Sequence, residues 1–155
     1  METNEKLREH LLELLKGKSA HIDLETVLRE FPPEAINTRL ENAPHTAWEL
    51  LEHLRIAQQD IVEFSYNANH ISPEFPEGYW NKTKATAADW RNSTAQILKD
   101  LQTMRDLVND EENDLSAELP HGSGQTILRE VLLVADHNAY HLGQIAFLMR
   151  VLETE

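Results

Sequence analysis

The chain has 155 residues, a formal charge of -13 and no cysteine. Its length suits one domain over residues 1–155 with one buried core. The acid excess argues against nucleic acid and anionic membranes as partners, and the missing cysteines exclude disulfides, thiolate ligands and a cysteine nucleophile.

No run approaches the roughly 18 apolar residues of a membrane span. The charged start METNEKLREH lacks the hydrophobic region of a secretory signal, so a cytoplasmic location is expected. The first helix is expected from Asn4 to Lys16, with Leu7, Leu11, Leu12, Leu14 and Leu15 as its apolar stripe and Gly17 as its stop. A short helix follows from Leu24 to Phe31, capped by Asp23 and ended by Pro32 and Pro33. The stretch from Ile36 to Pro44 reads as an irregular connection.

The next long helix opens at Thr46, which forms a capping-box pattern with Glu49. Leu50, Leu54, Ala57, Ile61 and Phe64 give it a stripe that includes His53, and it should end near Tyr66. The segment NHISPEFPEGYW reads as a structured loop whose rings, Phe75, Tyr79 and Trp80, need places to bury. Another long helix is expected from Thr86 to Val108, with Trp90, Ile97, Leu98, Leu101, Met104 and Leu107 inward. The last, capped by Thr126, runs to Leu152 and aligns Val134, His137, His141, Ile145 and Leu148 on one face. Four long amphipathic helices with polar connections predict an all-α four-helix bundle.

The chain holds eight histidines. His137 and His141 are four residues apart, so on a helix they are neighbours on one face. Two imidazoles at that spacing can bind one metal ion, and burying them without partners would cost a few kcal/mol. The plainer reading is a pair of hydrogen-bonded core histidines. His53, mid-helix among apolar residues, is the natural third ligand. His10 should face water, His21 and His45 sit at helix approaches, His70 lies in a loop, and His121 is expected to border the site from a loop. Three neutral nitrogens with an open position suit a catalytic zinc, and nickel, iron, manganese or cobalt could take the same ligands. The residues between the paired histidines are Asn138, Ala139 and Tyr140, so the carboxylate of an HExxH motif is absent.

Three stretches carry a resemblance to the DinB/YfiT-like superfamily. WELLEHLRIAQQDIVEFS resembles the family's second helix, with His53 at a ligand position. SPEFPEGYW resembles the loop after it. LPHGSGQTILREVLLVADHNAYHLGQIAFLMRVL resembles the last loop and helix, with His137 and His141 at the paired ligand positions. The resemblance implies a four-helix bundle holding one divalent metal, commonly nickel or zinc, and often a homodimer. Characterised relatives include transferases and isomerases that use low-molecular-weight thiols such as bacillithiol or mycothiol.

Two classes of function follow. One is a metal-dependent enzyme, a thiol transferase or a hydrolase, acting on a small molecule. The other is a non-catalytic metal-binding or dimeric interaction protein with structural histidines. No catalytic acid or base stands out. Glu49, Glu52, Asp136 and Gln144 lie within a turn of the ligands and could orient them, although a solvated helix position is the plainer reading for each. Packing is the default role for Tyr140 and for Trp48, Trp80 and Trp90, and Asn138 could line the mouth.

Overall fold

The computed structural model describes residues 2–153. The chain is all-helical: α1 (Glu2–Lys16), α2 (Leu24–Glu30), α3 (Ala47–Tyr66), α4 (Ala87–Asn109) and α5 (Ile127–Leu152). Short 3-10 turns occupy Pro33–Ala35 and Glu77–Tyr79. Among the described residues, extended pairing is limited to one isolated bridge between Glu118 and Thr126.

The helix ends follow local chemistry. Gly17 takes a φ of +65°, which a residue with a side chain rarely adopts, and α1 stops there. Asp23 accepts the Thr26 amide at the start of α2. Thr46 and Glu49 form the full capping box of α3, and Thr86 and Asp89 form a second one at α4. Thr126 caps α5 through the Arg129 amide.

Packing sets the order of helices around the bundle. α3 makes its main contacts with α4 and α5, and α1 closes the ring by touching the same two. α4 and α5 barely meet, so they lie across the bundle from one another. The short α2 packs against both, and Trp90 of α4 donates its indole N–H to the Leu28 carbonyl of α2. The centre is filled by Leu51, Leu54, Ile97, Met104, Val131 and Ile145, all essentially without exposure.

Two polar devices run through this apolar interior. Gln58, 1 % exposed, donates to the Ile97 carbonyl of α4 at 2.8 Å and accepts from Asn138 of α5 at 2.7 Å. It thereby fixes α3, α4 and α5 in register, since a half-satisfied buried amide is unfavourable. Asn138, a candidate for the mouth of the site, is instead part of this link. Arg8 of α1 reaches the end of α4, where its guanidinium donates to the carbonyls of Val108, Asp110 and Asn113.

Some faces differ from the periodic expectation. Val62 and Ser65 are buried, whereas Ile61 and Phe64 are only half-buried, so the inward face of α3 shifts by one position at its end. Leu14 is exposed. No described helix is long and apolar enough to cross a membrane.

Candidate metal centre

The three expected histidines meet. His53 comes from α3, and His137 and His141 come from successive turns of α5. One nitrogen of each ring lies within 4.8 Å of the other two. Ring centroids are 5.0 Å apart for His53 and His137, 4.6 Å for His53 and His141, and 4.5 Å for His137 and His141.

Neighbouring oxygens fix which nitrogens are free. His53 Nδ1 lies 3.0 Å from the Tyr79 carbonyl, and His141 Nδ1 lies 2.7 Å from the Gln144 side-chain oxygen. Each oxygen can only accept, so each Nδ1 carries the proton. The remaining Nε2 of each neutral ring then presents a lone pair. His53 Nε2 stands 3.1 Å from His137 Nε2. His137 Nδ1 is buried with no partner among the described residues.

These features fit a divalent cation. Two nitrogens bound at 2.0–2.1 Å would be separated by about 2.9–3.4 Å, depending on the coordination angle. A hydrogen bond between His53 and His137 would satisfy the same contact, but it leaves His141 Nε2 without a role in the cluster. Three imidazoles without a thiolate form a donor set that suits zinc or nickel. The protonation of the cluster also suits ligation. Burial holds all three rings below the ordinary imidazole range, with His137 pushed down to about 4 by burial and then by His141 and His53. At neutral pH the lone pairs are therefore free.

The loop after α3 completes the surroundings. The Trp80 indole stacks on His53 at 4.0 Å and 5°, and on His45 at 4.0 Å and 16°. Tyr79 donates its hydroxyl to Asp60 at 2.6 Å, and burial with Asp60 close by pushes the phenol up to about 12. His70 contacts Asp60 at 2.7 Å and Glu63 at 3.0 Å. The loop is thus fastened to the outer side of α3, which places the Tyr79 carbonyl over His53. Gly78 allows this path, since a Cβ there would lie 2.9 Å from Pro73 Cβ.

Several neighbours differ from expectation. His45 adjoins the site through Trp80, whereas His121, expected at its border, bonds the Phe64 carbonyl at 2.7 Å. The stacking partner could not be found by spacing, because it depends on how the loop returns. Phe75 is 82 % exposed rather than buried. Tyr140 does not pack inward: it is 67 % exposed and stands edge-on to His141 at 4.9 Å. Of the four polar candidates, Gln144 contacts a ring. Glu49 is engaged by Arg39 and by the α3 cap, and Glu52 by Arg55, Ser93 and Asn81. Asp136 is exposed.

The DinB superfamily matches over residues 18–145, which include all three histidines. No curated protein and no solved structure matches the chain.

Proposed function

Because the chain belongs to the DinB superfamily, we propose that His53, His137 and His141 hold one divalent cation, nickel or zinc, in a single-domain enzyme that acts on a small molecule. The observation that carries this reading is the convergence of three neutral imidazoles, with two Nε2 atoms 3.1 Å apart and two Nδ1 protons tied to oxygen acceptors. A bound cation would supply Lewis acidity, lowering the pKa of a thiol or water donor in an open position.

The chain's own residues do the positioning. Tyr79 and Gln144 orient two of the rings, and Trp80 covers the face of His53. Glu49 and Glu52 are bound to arginines, so neither is offered to a substrate as a free base. The absence of cysteine requires that thiol chemistry use an external low-molecular-weight thiol. The reaction is accordingly a thiol transfer to an electrophile or a hydrolysis. The exposed Leu132, Tyr140 and Phe147 on the outer face of α5 support the expected homodimer.

The first test is metal analysis of protein purified without a histidine tag, followed by nickel and zinc titration of wild type and His137→Ala. One ion per chain in the wild type, lost in the variant, is the expected result. Equal uptake by both folded proteins would reject the ligand set. The metal-loaded protein is then screened with electrophiles and several thiols, and with simple esters and amides. Turnover that His137→Ala lacks supports an enzyme, while silence in both screens favours the non-catalytic binding protein.

A further inference from the structure

A cavity of about 680 Å³ lies between α1, the start of α2, α4 and α5. The C-terminal end of α1 and the segment that follows it form one wall, and α4 and α5 form the others. Volumes of about 300–1,000 Å³ are typical of small-molecule sites. Leu15, Leu98, Leu101, Val134 and Leu142 make its walls apolar.

One group in the wall does not match the rest. Arg105 of α4 makes only long contacts, 3.4 Å to Gln102 and 3.5 Å to the Leu15 carbonyl. Its Nε is buried without a partner, and none of the ion pairs among the described residues includes it. Arg105 is half-buried, and its weakly engaged guanidinium can take a stronger acceptor from a ligand in the cavity. The acids at the rim are occupied: Asp23 caps α2, Glu25 pairs with Arg29, and Glu13 sits against His10. Lys16 and Lys18 also stand at the rim, where with Arg105 they offset the charge of Glu13, Asp23 and Glu25 on a chain of charge -13.

We propose that this cavity binds a small amphipathic carboxylate, its apolar body among the leucines and its carboxylate on Arg105. The planar guanidinium matches a carboxylate through paired hydrogen bonds, which an alcohol cannot reproduce. The site is separate from the histidine cluster and does not rest on the metal reading.

The test is calorimetric titration with dodecanoate and dodecanol below their aggregation limits. Wild type should bind dodecanoate about tenfold or more tightly than dodecanol. Arg105→Gln should bring the carboxylate to the level of the alcohol while leaving the alcohol unchanged. Ala135→Phe, which narrows the cavity from α5, should abolish binding of both, and together with the wild-type preference for dodecanoate it decides the matter if Arg105→Gln fails to fold. His137→Ala should bind dodecanoate like wild type, whatever its metal content. Equal affinity for the two probes in wild type, or an unchanged dodecanoate affinity in Arg105→Gln, would overturn the proposal. So would a dimer in sedimentation that Ala135→Phe dissociates and dodecanoate does not bind, because the cavity would then be an interface.

Discussion

A single carboxylate in α4 shows how one atom can set a pH dependence. Asp100 is buried; one oxygen accepts from Gln96 at 2.8 Å and the other has no partner among the described residues. Burial raises its pKa, and nearby Glu63 adds to the rise. The folded chain therefore holds the Asp100 proton to a higher pH than the unfolded chain does. Between the two pKa values the folded state binds more protons, so the contribution of Asp100 to stability falls as pH rises from about 4. Asp100→Asn removes the charge, keeps an oxygen for Gln96, and should raise the melting temperature at pH 7 by about 2 °C. The gain should shrink as pH approaches 4, in thermal melts of both proteins across that range; a gain independent of pH would refute the electrostatic cause. Asp100 is not legible in the sequence, because its helix position is polar on any scale and burial comes from the packing of α3. The three histidines are legible for the opposite reason: each interrupts an apolar stripe, and an interruption there needs a chemical explanation.

At the scale of an element, the loop from 67 to 86 and the end of α4 depend on contacts that no periodicity contains. The capping boxes at Thr46 and Thr86 could be read directly, since each pairs residues three apart. The seat of Trp80 could not, since it depends on Asp60 holding Tyr79 and His70 from another segment. Gly78 is the narrowest point of that path. Gly78→Ala should force the turn off Pro73, move the Tyr79 carbonyl away from His53, and weaken nickel binding about 10-fold. Circular dichroism should stay unchanged, and wild-type nickel affinity would show that the carbonyl does not orient the ring. Arg8 makes the same point for α1. It reads as one more charge on a polar helix, yet it is 8 % exposed and satisfies three carbonyls at the end of α4. Arg8→Met keeps the length of the side chain and removes the Arg8 donor from all three carbonyls, of which Asp110 keeps the Asn113 amide. A loss of about 2 kcal/mol, or about 4–8 °C in melting temperature, is expected by calorimetry.

For the whole molecule, the histidine cluster joins two elements that are distant in sequence. His53 is separated from His137 by α4 and two loops, so an ion held by both acts as a cross-link between α3 and α5. The unfolded chain brings the three rings together only at a cost in loop-closure entropy. A ligand that binds the folded state alone stabilises it by about 2.7 kcal/mol at 100 times its dissociation constant. For a chain of this size that corresponds to a rise of about 5–10 °C. Burial already keeps the three rings neutral at neutral pH, so few protons would be displaced when an ion enters. The melting temperature should therefore rise with added nickel or zinc, continue to rise with the logarithm of metal concentration above saturation, and return on chelation. His137→Ala, which removes the ring whose Nε2 stands 3.1 Å from that of His53, should melt at one temperature whatever the metal concentration. If the variant shows the full wild-type shift, the ion is bound elsewhere on this acidic surface and the cross-link does not exist.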